Sequence, residues 1–239
     1  MRPIYTFVRH CNISANSLNK QRPSWFTKEK TLFNLLETKD EYTHVTILLD
    51  TASGCNDPTQ HFSHALKQKK LIEVIPIHGG TDAHSFRNLL DHVCSLILPP
   101  DAIIYLLEDD YVHQPNWPNI LREGFNIPNI NYVTLYDHPD KYTQMYAGLT
   151  SQIYATPSCH WRSIPSTTNT YACLFNTLVK NKIAHEQFSD LKIGFTFDHA
   201  KFLHLSGLGQ QLISCIPAHS THVENGNLSP CVEWNILKD

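Results

Sequence analysis

Four short apolar runs constrain this chain most: Ile4 to Val8, His44 to Leu49, Ile72 to Ile77 and Ala102 to Leu107. None shows the inside-outside alternation of a strand with one wet face. Runs apolar on both faces belong in a sheet covered on both sides. The intervening segments carry helical spacing. Trp25 to Leu36 turns Phe26, Leu32, Leu35 and Leu36 inward; Phe62 to Lys70 forms a short helix. Ser85 to Leu98 repeats Phe86, Leu89, Leu90, Val93 and Leu96, and Pro99-Pro100 ends it. Strands alternating with helices over the first ~110 residues predict a doubly wound α/β unit.

The second half is less regular. Tyr132 to Tyr136 reads as a strand, and Gln152 to Ala155 and Trp161 to Ile164 as a strand pair. Asn169 to Lys180 and Phe202 to Leu212 read as helices, and the tail from Cys215 as loop. There is no repeat or linker-like stretch, so the expectation is one domain continuing one sheet.

The charge balance removes several classes. The chain has 19 Lys+Arg against 22 Asp+Glu, a net −3, with no basic stripe. Nucleic acid is therefore not an expected partner; Lys67-Gln68-Lys69-Lys70 reads as a solvated helix end. A 41% hydrophobic content supports a real core. No apolar run approaches the ~18–20 residues of a membrane span. The opening residues lack a signal-peptide core, and the seven cysteines contain no C-x-x-C pair. Free thiols in a reducing, cytoplasmic setting are expected. Asn12-Ile13-Ser14 and Asn227-Leu228-Ser229 then count as chance sequons.

Glu108-Asp109-Asp110 follows the fourth run directly. Ligand sites of open α/β sheets lie outside the carboxyl ends of strands. Adjacent carboxylates repel, and either solvent or a cation relieves them. Alternation points Glu108 and Asp110 one way and Asp109 the other. Oxygen donors of this kind favour Mg²⁺ or Mn²⁺ over zinc. The alternative is a solvated strand-to-loop turn.

The stretch Leu106-Leu107-Glu108-Asp109-Asp110-Tyr111, with Pro115-Asn116-Trp117, Leu121 and Gly124-Phe125 after it, resembles the D-x-D region of glycosyltransferases with the GT-A fold. Other segments fall in matching order. Pro3 to Arg9, with Thr6 and Arg9, resembles the strand that holds the nucleotide. Asp50 matches the carboxylate that reads uracil or ribose. Gly79-Gly80 with Phe86-Arg87-Asn88 resembles a segment of the family 2-like enzymes, and Phe197-Asp198-His199 resembles the motif carrying the catalytic base. Tyr136-Asp137-His138-Pro139-Asp140 is similar to small bacterial and large-DNA-virus members. The match departs at Glu108, where D-x-D becomes Glu-x-Asp, and at Phe197, where an acid is common.

The resemblance implies a mixed, mostly parallel GT-A sheet, with a nucleotide-sugar-binding half in 1–125 and an acceptor-binding half and tail in 126–239. It implies a nucleoside diphosphate sugar as donor, uridine or thymidine diphosphate in preference to guanosine, and a glycan or glycoprotein acceptor. A viral member would work in the host cytoplasm. Mn²⁺ or Mg²⁺ on Glu108, Asp110 and His222 would neutralise the leaving diphosphate. Arg9, Arg87 and Asp109 would join the donor site. Asp198 would take the acceptor proton in an inverting displacement; its alternative is a helix cap. Trp161 and Thr168 would meet a sugar, or serve as a packed Trp and a helix cap. A silent sugar-nucleotide or glycan-binding module is the competing function.

Fifteen histidines raise zinc, but His61/His64 and His219/His222 share only i,i+3 spacing and no H-E-x-x-H occurs. No G-x-S-x-G or Walker sequence is present either.

Overall fold

The computed structural model describes residues 1–13, 19–52, 54 and 57–234. Ser14 of the first sequon and Cys55 lie outside them. The elements in order are β1 (Ile4–Cys11), α1 (Lys28–Thr38), β2 (Thr43–Asp50), α2 (Phe62–Gln68), β3 (Glu73–Ile77), α3 (Asp82–Ser95), β4 (Ile103–Glu108), β5 (Tyr111–His113) and α4 (Trp117–Gly124). There follow β6 (Tyr132–Thr134), β7 (Ile153–Ala155), β8 (His160–Ser163), β9 (Tyr171–Leu174), α5 (Phe175–Lys180), α6 (Lys182–Glu186), β10 (Ser189–Asp190), β11 (Phe195–Thr196), α7 (Asp198–Gly207), β12 (Leu212–Ile216) and β13 (Ser220–His222).

Nine strands form one sheet in the order β3-β2-β1-β4-β9-β6-β12-β8-β7. β1 to β4 are mutually parallel, and only β8 and β9 oppose the common direction. This is the mixed, mostly parallel α/β sheet expected. The double covering is visible residue by residue. Ile4, Val8, Ile47, Ile103 and Tyr105 pack on one side with Leu32 and Leu35 of α1. Phe7, Leu48, Ile104 and Leu106 pack on the other with Phe86, Leu89, Leu90 and Val93 of α3. Burying each such side chain contributes about 1.5–3 kcal/mol.

Helix starts are set by capping. Thr27 accepts from Lys30 N at 3.0 Å to open α1, and Thr81 opens α3 with Asp82 in the first turn. An acid there faces the positive helix end.

Three readings of the second half are corrected. Asn169 to Lys180 is not one helix: Tyr171–Leu174 is β9, in mid-sheet between β4 and β6, and the helix starts at Phe175. Phe202 to Leu212 is not one helix either, because α7 runs Asp198–Gly207 and Gly209, at φ +78°, turns the chain into β12. The tail is not all loop: β12 extends to Ile216, and β13 pairs antiparallel with β5, placing His222 opposite Tyr111. The Gln152–Ala155 and Trp161–Ile164 pairing is present as β7 and β8.

Candidate active site

The parallel register brings three strand ends together. Cys11 lies beside Asp50, and Arg9 beside Glu108. Asp50 accepts from the backbone N–H groups of Ala52 (2.9 Å), Gly79 (3.1 Å) and Gly80 (2.8 Å). A Cβ on Gly79 would stand 2.7 Å from Asp50 Oδ2 and 2.9 Å from Ser85 N, so only glycine fits. Asp50 thus shapes the β3–α3 loop, and most of its accepting capacity is spent there.

Arg9 is the hinge of the site. It donates to Asp82 Oδ1 at 2.7 Å and Glu108 Oε1 at 3.1 Å and lies over the Phe86 ring at 5.4 Å. Burial opposes its charge, but Asp82 and Glu108 outweigh that and raise its pKa. Glu108 is pushed up to about 7, by burial first, with Asp110, Asp82 and Asp198 adding to it against Arg9. Asp82 was missed in the sequence, although an acid just inside a Thr-capped helix after Gly79-Gly80 was a readable signal.

Asp109 and Asp110 form the turn between β4 and β5 and meet different partners. Asp109 Oδ2 meets Lys28 Nζ (2.9 Å), His10 Nδ1 (3.0 Å) and Cys11 N (3.1 Å). Asp110 Oδ2 meets Arg22 (2.6 Å), Lys20 Nζ (2.8 Å) and His222 Nε2 (2.9 Å). Burial works to raise both carboxyl pKa values, yet these partners hold both below the usual carboxylate range, Asp110 far below. Lys20 and Arg22 escaped the sequence reading because the loop that carries them has no periodic pattern, and Lys28 because it opens α1 as one more charged helix residue.

On the opposite wall, Asp198 opens α7 without capping it. Its nearest cation, Lys201, stands 3.4 Å away. Lys201 is buried, donates to Asn169 Oδ1, and lies over the rings of Phe86, Tyr171 and Phe202. Burial first, then Asp82, raises the Asp198 pKa against Lys201 and Arg9. Burial lowers that of Lys201. Asp82 joins the two walls: its Oδ2 accepts from Thr196 N at 3.1 Å, two residues before Asp198.

Three expected residues stand elsewhere. Thr6 is 1% exposed within β1, so it belongs to the core. Arg87 faces α6 and pairs with Glu186 at 3.3 Å. Trp161 is fully buried against Gly124 and donates to Thr156 Oγ1 at 3.0 Å, so its ring is spent on the core and not on a sugar. Thr168 does reach the site's edge, where its Oγ1 meets Tyr111 OH at 2.8 Å; it caps no helix.

The donor set fits a divalent ion poorly. In favour, buried Asp110 Oδ1 has no hydrogen-bond partner. Against, Oδ2 and His222 already share Lys20, and Glu108 is turned to Arg9 and Thr170. Among the described residues no group of three His, Cys, Asp or Glu side chains is arranged to hold a metal. Mg²⁺ and Mn²⁺ want about six oxygen ligands.

No helix among the described residues is long and apolar enough to cross a membrane. No protein-family model and no curated protein matches the chain. Solved structures do. GalNAc-T7 with UDP, GalNAc and Mn²⁺ is similar at TM-score 0.62 and 8% identity, over 93% of this chain and 44% of that one. The chain thus spans less than half of that protein's length. A CMP:2-keto-3-deoxy-manno-octonic acid synthetase complexed with CTP is similar at TM-score 0.49 and 11% identity, over 90% of this chain and 92% of that one. At these identities the likeness to GalNAc-T7 is one of fold, and the fold is what the two share.

Proposed function

We propose that the chain is a glycosyltransferase that moves a sugar from a nucleoside diphosphate sugar, uridine or thymidine in preference to guanosine, to a hydroxyl of a glycan or glycoprotein. The carrying observation is the gathering of two sets of charged groups near the carboxyl ends of β1 and β4, bridged by Asp82. One wall gathers Arg9, Lys20, Arg22 and Lys28 among acids. The other presents Asp198 with a raised proton affinity.

Each wall suits one demand of the reaction. A leaving diphosphate carries charge that fixed cations stabilise without reorganisation. An attacking hydroxyl sheds a proton, and a carboxylate with a raised pKa accepts it more readily than an ordinary one. Asp198 across from the donor wall corresponds to a single, inverting displacement. Residues 1–125 then bind the donor, and 126–239 bring the acceptor past Thr168. A divalent ion, Mn²⁺ as in the GalNAc-T7 structure or else Mg²⁺, is the part of this reading that the residues favour least. A silent binding module on the same fold is the second reading, favoured by Phe197 in place of an acid beside Asp198.

Donor hydrolysis separates the two. Purified protein incubated with UDP- and dTDP-sugars should release nucleoside diphosphate, and Asp198→Asn should not. Nucleotide binding without any turnover would establish the silent module.

A further inference from the structure

Asp110 and His222 are the two groups best placed to share a cation, and they already share one. Lys20 Nζ stands 2.8 Å from Asp110 Oδ2 and 3.1 Å from His222 Nε2, while those two atoms are 2.9 Å apart. The ammonium therefore completes a triangle over both side chains. Arg22 adds a second cation to the same oxygen at 2.6 Å.

The arrangement is built into the fold. Arg22 also donates to Val223 O and lies over the Phe26 ring at 4.5 Å. Asn225 N donates to Gln21 O at 2.8 Å. Trp25 and Phe26 pack against a small core of Val112, Val223 and Trp234. The segment before α1 is thus fastened to the tail after β13, with its two cations inside.

Charge arithmetic agrees. Arg9, Lys20, Arg22 and Lys28 give +4; Asp82, Asp109 and Asp110 give −3, and Glu108, pushed up to about 7, adds at most one more. The acidic wall is matched by the chain's own cations. A Lys ammonium has three donors. Asp110 engages one here, His222 Nε2 is itself turned to Asp110, and the Lys20 side chain stays 28% exposed.

We infer that Lys20 and Arg22 replace the divalent cation in this chain, and that they take the diphosphate of a nucleoside diphosphate directly, without Mn²⁺ or Mg²⁺. The diphosphate half rests on the function proposed above; the replacement of the metal does not.

Two titrations test the halves separately. The paramagnetic resonance signal of free aqueous Mn²⁺ should be unchanged by the wild-type protein, but taken up by Lys20→Met/Arg22→Met, in which Asp110 and His222 are uncovered. Calorimetric binding of UDP should differ by less than about threefold between EDTA and Mn²⁺ for the wild type. It should fall about tenfold or more in EDTA for Lys20→Met, which removes a charge-assisted hydrogen bond to the diphosphate. Lys20→Arg should keep most of the affinity, which separates loss of charge from loss of fold. Stoichiometric Mn²⁺ uptake by the wild type, or a tenfold gain of UDP affinity with Mn²⁺, overturns the replacement. Absence of UDP and dTDP binding in both buffers overturns the diphosphate half and the nucleotide reading together.

Discussion

The two walls of the site treat their carboxylates in opposite ways. On the β1–β4 wall, Asp109 and Asp110 each have cations at 2.6–2.9 Å, and their pKa values are lowered despite burial. On the α7 wall, Asp198 has one lysine at 3.4 Å, and burial wins. The two sets of carboxylates therefore shift in opposite directions, in keeping with how many cations lie close by. The first arrangement holds charge in place and suits binding. The second leaves a carboxylate able to take a proton and suits catalysis.

Removing the proposed base should give the largest effect. Asp198→Asn should lower the rate of donor hydrolysis or transfer by about 10²–10⁴-fold, the usual contribution of a general base. UDP affinity measured by calorimetry should stay nearly the same. A matching loss of affinity would erase the contrast between the walls and place Asp198 with the donor.

The β8 tryptophan sharpens the comparison from the acceptor side. Trp161→Ala should cost about 3–5 kcal/mol in urea denaturation, as large core truncations do, and leave the UDP dissociation constant unchanged. A normal stability with a raised acceptor KM would return Trp161 to the sugar.

Asp110→Ala should cost about 3 kcal/mol, because it strands two cations that were paired in a largely buried place. Asp198→Asn should cost much less by the same denaturation assay, since it removes a charge that its surroundings disfavour. Equal costs would break the distinction between a binding and a catalytic carboxylate.

The smallest effects are with pH, and they run in opposite directions. Glu108, raised to about 7, takes up a proton as pH falls through that value and stops competing for Arg9. UDP affinity should therefore rise on acidification. As the proposed base, Asp198 would act only when deprotonated, and its pKa is raised. The rate should therefore fall on acidification, earlier than an ordinary aspartate would cause. Calorimetry and initial rates over the same buffers check both signs; parallel trends would mean one group governs both.

The difference between the walls also explains what could be read from sequence. β1, β2 and β4 were legible because strands buried on both faces are nearly continuous apolar runs, and Glu108 to Asp110 were legible as acids ending one of them. β9 was not: Tyr171-Ala172-Cys173-Leu174 is a four-residue apolar run that runs straight into the helix from Phe175, and no turn residue divides them. The end of α7 was not read either: the helix was carried through Gly209, whose positive φ turns the chain toward β12. Trp161 sits among Ser, His and Arg and so reads as a surface aromatic, but alternation on β8 turns it inward. The cations were the hidden part. Lys20 and Arg22 meet Asp110 across 90 and 88 residues of chain, and no local pattern encodes such a pairing. The acidic triplet alone therefore reads as a metal site, and only the packed loop shows it to be already neutralised.

The central claim is a nucleoside diphosphate site at the carboxyl ends of β1, β2 and β4. A thermal-shift series tests it most directly, because a ligand that binds the native state raises the melting temperature by mass action. UDP or dTDP, and the corresponding nucleotide sugars, should raise the melting temperature in EDTA, more than GDP does, and Lys20→Met should lose that shift. A protein unmoved by every nucleoside diphosphate, with or without Mn²⁺, yet stabilised by a neutral glycan would contradict it.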